Sequence, residues 1–183
     1  MSDRVIGVVL AAGAGRRFGR PKAGVRDWLP TAIDALRDGG CGQVVVVLGA
    51  LRLDPIPGVT TVIAEDWAEG MSASVRVGIS RAAEMDADYL ALHVVDTPDV
   101  GANVVTRVIA RACEDPAGIA RASFGGRPGH PVVIARRHWA ELLPTLSGDR
   151  GAAGYLRTAG VRMVECGDLA GGRDIDRPAD LDR

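Results

Sequence analysis

Continuous apolar runs, rather than alternating ones, recur along the first half of the chain. They cover Val5–Leu10, Gln43–Leu48 and residues 89–95, and a weaker run covers residues 59–64. An apolar run of this length that is rich in β-branched residues is typical of a strand buried on both faces. The pattern therefore predicts the strands of a sheet that is covered on both sides.

These runs are separated by stretches in which apolar residues recur about one helical turn apart. They cover residues 28–37, 72–83 and 102–113. Ser72 and Ser74 stand at the start of the second stretch, where a helix-capping role is slightly favoured over a ligand-binding role. Strands and helices in this order predict a doubly wound α/β domain, in which helices cover both faces of a parallel sheet and form a three-layer α/β/α arrangement.

The C-terminal third has a less regular pattern. Further strands are predicted at Ile119–Phe124 and at residues 132–135 and 161–165. A turn is predicted over residues 125–131, a helix over residues 148–158 with Asp149 as its cap, and a short helix from Pro178. The sequence has no internal repeat, linker or low-complexity tract, so we expect a single domain over residues 1–183.

The first apolar run ends in small residues, from Ala11 to Gly15, and the cations Arg16, Arg17 and Lys22 follow. Small side chains let backbone N–H groups approach a ligand, and N–H groups beside cations suit a polyphosphate. Lys22 is the only lysine in the sequence, which favours a role that a planar guanidinium does not fill. A dinucleotide fingerprint is disfavoured because no helical pattern begins in this loop. A Walker loop is disfavoured because the sequence has no Gly-Lys-Ser/Thr.

Three further polar positions are candidates for function. Asp96 ends an apolar strand, where ligation of Mg²⁺ and capping of the next helix are equally favoured. Asp174 and Asp176 have the spacing that places two carboxylates on one side of an extended segment, and a solvated charged tail is the alternative. His130 lies between a glycine and a proline, where a structural role and a role beside the substrate are equally favoured. Since ligands of such sheets bind beyond the carboxyl ends of the strands, we expect the glycine-rich loop and Asp96 to converge.

The composition argues against several classes of function. The net charge is −1 and the arginines are dispersed, so no basic surface for nucleic acid or a membrane is expected. No apolar run has the length of a membrane-spanning helix, and the first run lacks the pattern of a signal peptide. The three cysteines have no metal-ligand spacing, which is typical of reduced thiols in a cytoplasmic protein.

Together these motifs resemble the MobA-like NTP transferases, a family of nucleotidyltransferases. Residues 10–22 are similar to the family signature LAAGxSxRMGxPK, with glycine in place of the serine and phenylalanine in place of the methionine. Shorter matches follow in the family's order: EGMxxS at 69–74, DxP at 96–98, GHP at 129–131, GDxGA at 148–152 and DIDxPxDL at 174–181. The resemblance covers essentially the whole chain and implies a Rossmann-like three-layer α/β/α nucleotidyltransferase fold, similar to that of the nucleotide-diphospho-sugar transferases.

The resemblance also implies the residues of the site. Arg17, Lys22 and Asp96 are implied to be catalytic, and Asp96 together with Asp176 to ligate Mg²⁺. The residues implied to bind the substrates are Leu10, Ala11, Ala12, Gly13, Gly15, Ser74 and, on the acceptor side, His130.

The resemblance implies transfer of a nucleoside monophosphate from an NTP to a phosphorylated acceptor such as molybdopterin, as in molybdenum cofactor cytidylyltransferases. It also implies a molybdoenzyme as a further partner. CTP is favoured over GTP, because relatives that use GTP tend to carry glycine at the position of Ala12. The segment 23–29 is shorter than is usual in the family, and Ala153 stands where an arginine is common. An NAD(P)H-dependent oxidoreductase on the same scaffold and a non-catalytic delivery protein for a nucleotide or cofactor are the alternatives.

Overall fold

The fold is a seven-stranded sheet between two layers of helices, in a computed structural model that describes residues 4–25 and 27–181. The strands are β1 (Val5–Leu10), β2 (Gln43–Leu48), β3 (Thr60–Ile63), β4 (Tyr89–Val94), β5 (Ile119–Phe124), β6 (Arg127–Ala135) and β7 (Arg162–Glu165). The helices are α1 (Trp28–Asp38), α2 (Met71–Glu84), α3 (Ala102–Glu114), α4 (Trp139–Leu142) and α5 (Ala153–Leu156). Arg26, in the short segment that precedes α1, lies outside the described residues.

The sheet is mixed, with strand order β3-β2-β1-β4-β6-β5-β7. Strands β3, β2, β1 and β4 are parallel, as the apolar runs predict. The prediction of a parallel sheet is wrong for β6, which runs antiparallel to both β4 and β5, whereas β5 and β7 pair in parallel. The reason is the two-residue turn Gly125–Gly126, in which both φ angles are positive (59° and 76°). Such a turn reverses the chain at once, so β5 and β6 form a hairpin.

Alternate side chains of the central strand β1 enter two separate apolar cores. Val5 and Val9 pack in the core formed with α1 and α3. Ile6 and Val8 pack in the opposite core with α2 and α4. Burial of both faces explains why this strand is continuously apolar, and the three-layer α/β/α arrangement is confirmed.

Several local predictions need correction. Helix α2 begins at Met71 with Gly70 at its cap and without a capping side chain, so Ser72 and Ser74 lie buried in its first turn and the capping prediction is wrong. The residue that caps α3 is Gly101. Asp96 is therefore not its cap.

The region 148–158 also differs from the prediction. It consists of a 3₁₀ turn at Gly148–Arg150, for which Asp149 is not the cap, and the short helix α5. Helix α4 was not predicted at all. The predicted final turn is a 3₁₀ helix that begins at Pro178. Among the described residues, no helix combines the length and the apolar character needed to cross a membrane.

Candidate functional site

A cavity of about 540 Å³ opens beyond the carboxyl ends of β1 and β4. Its wall contains every residue that the sequence assigns to the site: Leu10, Ala11, Ala12, Gly13, Gly15, Arg17, Lys22, Ser74, Asp96, His130 and Asp176. The expected convergence of the glycine-rich loop and Asp96 is thus present in the structure, because parallel strands end at one edge of the sheet.

The loop after β1 is held by the backbone rather than by a helix. The N–H of Ala11 donates to the carbonyl of Val47 at 2.9 Å, and the carbonyl of Ala12 accepts from Ala50 at 2.9 Å. Gly15 has a φ of 61°, and a Cβ atom there would lie 1.8 Å from the carbonyl oxygen of Arg20. This glycine is therefore required by the turn itself, whatever the loop binds.

Phe18 anchors the far end of this loop. It is 7% exposed, and its ring centroid lies 5.3 Å from that of Trp28 at the start of α1. Because Phe18 is buried, the loop folds back onto the core and brings Lys22 to the cavity.

Lys22 joins the carboxylates of Asp96 and Asp176 at the centre of the cavity wall. Its ammonium donates to Asp96 at 2.7 Å and to Asp176 at 2.9 Å, with 14% of the Lys22 side chain exposed. Burial lowers the pKa of Lys22, but the charge of Asp96 and the hydrogen bonds to both carboxylates outweigh this, so the pKa lies above its usual value. The ammonium therefore stays charged at neutral pH.

Arg17 completes this cluster from the solvent side. It donates to the second oxygen of Asp176 at 2.9 Å, but its side chain is 72% exposed. The hydrogen bond from Lys22 is the main cause that lowers the pKa of Asp176, and the charge of Arg17 adds to it. An exposed ion pair of this kind contributes roughly 0–1 kcal/mol to stability, so the fold depends little on Arg17.

Asp174 is a further carboxyl group at the cavity, and the family resemblance implies no separate role for it. The residue Asp174 keeps contact with solvent, but neighbouring atoms desolvate its carboxyl, and this is the main cause that raises its pKa. The negative charges of Asp96 and Asp176 raise the pKa of Asp174 further. Lys22 and Arg121 oppose this rise. As the pH falls, Asp174 therefore takes up a proton before Asp176 does.

The donor set fits a small divalent cation. Asp96 and Asp176 each present an oxygen to the same ammonium, and Mg²⁺ commonly uses one or two carboxylates together with phosphate oxygens and water. No group of three or more His, Cys, Asp or Glu side chains is placed to hold a metal ion in the described part of the chain. The protein alone therefore offers an incomplete coordination shell, which suits an ion that arrives with a phosphate ligand.

Two histidines lie beside this cluster. Burial is the main cause that lowers the pKa of His130 to about 4, and the charge of Arg121 adds to it. Behind it, His93 is 1% exposed, and burial lowers its pKa to about 3. Neither ring nitrogen of His93, nor Nδ1 of His130, has a hydrogen-bond partner among the described residues. Both rings are neutral at physiological pH.

The cavity wall also contains residues to which the sequence assigns no role in the site. Trp67, Met71 and Asp149 line it together with Ser74. Gly49 allows Trp67 to approach the first loop, since a Cβ atom at Gly49 would lie 2.6 Å from Cβ of Trp67. The match at residues 69–74 pointed to this region, but no pattern singled out Trp67.

Comparisons with known proteins identify a family. The model of the MobA-like NTP transferase domain matches residues 7–164. The chain is 34% identical to the nicotine blue oxidoreductase of Paenarthrobacter nicotinovorans, an alignment that covers 94% of this chain and 92% of that protein. It is 25% identical to a probable molybdenum cofactor guanylyltransferase of Mycobacterium ulcerans, over 96% of this chain and 90% of that protein.

A solved structure is similar over the full length. The Mycobacterium tuberculosis protein Rv0371c superimposes with a TM-score of 0.79 at 28% identity, covering 100% of this chain and 98% of that one. Another structure of Rv0371c is a complex with manganese, with a TM-score of 0.69 at 28% identity over 89% of this chain and 88% of that one.

Proposed function

Since this chain belongs to the MobA-like NTP transferase domain family, we propose that it transfers a nucleoside monophosphate from an NTP to a phosphorylated acceptor and releases pyrophosphate. The observation that carries this proposal is the convergence of Lys22, Asp96 and Asp176 at the end of a loop of small residues. That arrangement offers backbone, a partly buried cation and paired carboxylates to one cavity of about 540 Å³.

The proposed reaction places few chemical demands on the protein. An oxygen of the acceptor phosphate attacks the α-phosphorus, and the bond from that phosphorus to the oxygen of the leaving pyrophosphate breaks. The attacking oxygen is already anionic, so no general base is needed, and the neutral His130 is not asked to be one. Catalysis then depends on alignment and on stabilisation of charge. We assign Lys22 and Arg17 to the charge that develops on the leaving group.

The nucleotide is assigned to the loop and to the part of the cavity wall that contains Trp67 and Ser74. The backbone of residues 10–13 and Gly15 would hold the phosphates, and Ser74 would face the nucleoside. His130 would lie on the acceptor side. Asp96 and Asp176 would hold Mg²⁺, which when bound neutralises phosphate charge.

We further propose CTP as the preferred donor and molybdopterin as the acceptor. Ala12, a buried residue of the cavity wall, supports CTP because relatives that use GTP tend to carry glycine at this position. The mycobacterial relative is named a guanylyltransferase, so GTP is the rival donor that an experiment must include. That same name supports an acceptor of the molybdenum cofactor type.

One relative favours a second function. The protein that is 34% identical is named an oxidoreductase, so reduction of an organic substrate by NAD(P)H on this scaffold is the second candidate. It requires binding of NAD(P)H, and it gives no role to paired carboxylates beside Lys22. A delivery protein that binds a nucleotide or a pterin without transfer is the third candidate.

A ligand screen separates these functions. Ligands that bind only the folded state raise the melting temperature, so CTP, GTP, ATP, UTP, NADH and NADPH are compared with and without Mg²⁺. We expect CTP to give the largest rise, and only when Mg²⁺ is present. Pyrophosphate release on addition of molybdopterin then distinguishes transfer from delivery. A rise with NADPH alone would contradict nucleotidyl transfer and support the oxidoreductase.

A further inference from the structure

The segment that carries Asp174 and Asp176 has no regular secondary structure between residues 170 and 176. A carboxylate on such a segment needs other contacts to hold it over Lys22. The loop after β4 provides them: the backbone carbonyl of Asp96 accepts from the N–H of Ile175 at 2.9 Å.

Asp99, on the same loop as Asp96, makes the second attachment. One oxygen of its carboxylate accepts from the N–H of Gly171 at 2.8 Å and from the N–H of Gly172 at 2.9 Å. Hydrogen bonds from backbone N–H groups to a carboxylate are charge-assisted and stronger than those between neutral groups. Asp99 is exposed and lies outside the cavity wall, so this pair of bonds is its evident structural contribution.

Gly172 fixes the other side of the segment. Its φ is 57°, and a Cβ atom there would lie 2.1 Å from the ring of Phe124, which is 2% exposed. No side chain fits between this backbone and the ring. Gly171 and Gly172 are thus held between the carboxylate of Asp99 and the face of Phe124, and we call these four residues the clasp.

We propose that Asp99 is a positioning residue: the clasp sets the C-terminal segment so that Asp176 meets Lys22 and Arg17. The expected effect on turnover rests on the proposed function, whereas the hydrogen bonds of the clasp do not depend on it. Asp176 lies only four residues beyond Gly172, and its bonds to Lys22 and Arg17 join it to the opposite wall. Loss of the Asp99 carboxylate frees the near end of this short connection and leaves Asp176 held through the hydrogen bond from Ile175 to Asp96, so Asp176 shifts from its place over Lys22.

The test compares Asp99→Ala with Asp99→Asn, whose side-chain oxygen still accepts from both N–H groups. Glu114→Ala is the matched control, because it removes an exposed carboxylate that pairs with Arg111 on α3, away from the clasp. Each variant is measured for the melting temperature, for hydrogen exchange of the amides of residues 171–176, and for kcat and KM in pyrophosphate release.

We expect Asp99→Ala to exchange faster at these amides and to lose about 10²-fold in kcat, the size of effect that a misplacement of roughly 1 Å produces. KM for the nucleotide should change by a much smaller factor than kcat, and the melting temperature should stay close to that of the wild type. Asp99→Asn should recover most of the activity and of the protection from exchange, and Glu114→Ala should match the wild type.

Unchanged exchange in Asp99→Ala would overturn the proposal, as would faster exchange with unchanged kcat, or a loss of kcat that Asp99→Asn does not recover. A wild-type protein that releases no pyrophosphate with any NTP would instead contradict the proposed function. In that case exchange at Ile175 and Asp176 in the Asp99 variants still decides whether the clasp positions this segment.

Discussion

The ammonium of Lys22 lies 2.7 Å from the carboxylate of Asp96, although 74 positions separate the two residues in the sequence. The contact joins the loop that follows β1 to the tip of the neighbouring strand β4. Lys22 also reaches Asp176 on the C-terminal segment at 2.9 Å. A single cation thus connects three parts of the chain, so changes at Lys22 are the most direct tests of the site.

Replacement of Lys22 by methionine should sharply reduce turnover while the fold is kept. The methionine side chain fills a similar space but cannot offset charge on the leaving pyrophosphate. By comparison with other contacts to transition-state charge, we expect a loss of about 10²–10³ in kcat. Pyrophosphate release measures the loss, and circular dichroism checks the fold.

Lys22→Arg is the informative companion, since it keeps the charge. A guanidinium is planar and wider than an ammonium, so it should fit poorly between Asp96 and Asp176 and recover little activity. Arg20→Met, a change of another cation in the same loop, serves as the control and should keep most of the activity. Near wild-type turnover in Lys22→Met would contradict the assignment.

The same contact predicts competition between Lys22 and divalent metal ions. Because the ammonium occupies one oxygen of Asp96 and one of Asp176, a free ion has to displace it before it can use both carboxylates. Opposite charges in contact at a partly buried site stabilise each other by several kcal/mol at most. We therefore expect Lys22→Met without nucleotide to bind Mn²⁺ about tenfold or more tightly than the wild type, which corresponds to about 1.4 kcal/mol.

Electron paramagnetic resonance of free Mn²⁺ measures this affinity directly. The double variant Lys22→Met/Asp96→Asn should lose the gain, since one of the two carboxylates is then neutral. Equal affinity of wild type and Lys22→Met would mean that the ion does not use the oxygens that Lys22 occupies.

The parallel half of the sheet could be predicted because its residues are buried on both faces. Continuous apolar runs such as Val5–Leu10 have few other interpretations, and parallel strands bring their carboxyl ends to one edge. This placed the loop that carries Lys22 and the tip of β4 with Asp96 at one cavity, whereas His130 lies on the antiparallel strand β6. Their roles came from the family resemblance and are tested by the variants above.

The antiparallel part could not be predicted from the same pattern. Residues 127–131 contain two prolines and a glycine, a composition that predicts a turn, yet they form the first half of β6. Prolines are tolerated in residues 127–131 because the pairing of β6 with β4 ends at Val132. This part of β6 therefore needs fewer N–H donors for the sheet than the part from Val132 to Ala135. Gly15 has a further requirement that the sequence pattern does not reveal, because its positive φ and the nearby carbonyl oxygen of Arg20 exclude a side chain whatever the loop binds.

Ala12 provides a test of the choice of base. It is 3% exposed in the cavity wall, and its carbonyl accepts from Ala50, so its methyl group limits the space beside a fixed backbone. Loss of one methyl group in a pocket changes discrimination by about tenfold or more. We expect Ala12→Gly to shift the ratio of kcat/KM from CTP towards GTP by at least that factor.

Ala14→Gly is the matched control, because it removes a methyl group from the same loop without a predicted contact to the base. Its ratio of kcat/KM for CTP and GTP should equal that of the wild type. A preference of the wild type for GTP, or an unchanged ratio in Ala12→Gly, would contradict the assignment of base choice to this residue.

His93 predicts how stability depends on pH. Its ring is buried beside His130, and burial lowers its pKa to about 3 from an ordinary value of 6.5. Between these values the unfolded chain binds a proton that the folded chain does not, so the free energy of unfolding falls as the pH drops below 6.5. From pH 7 to pH 4.5 the loss that is due to His93 is about 2–3 kcal/mol.

His93→Leu should remove this part of the pH dependence. Leucine fits the apolar surroundings, and it also avoids two buried nitrogens that have no partner among the described residues. We therefore expect the variant to be at least as stable as the wild type at pH 7 and clearly more stable at pH 4.5, where the remaining slope includes the contribution of His130. Urea unfolding at both pH values measures the difference. If the wild type and His93→Leu lose the same free energy between pH 7 and pH 4.5, His93 is not a neutral buried histidine in the folded protein.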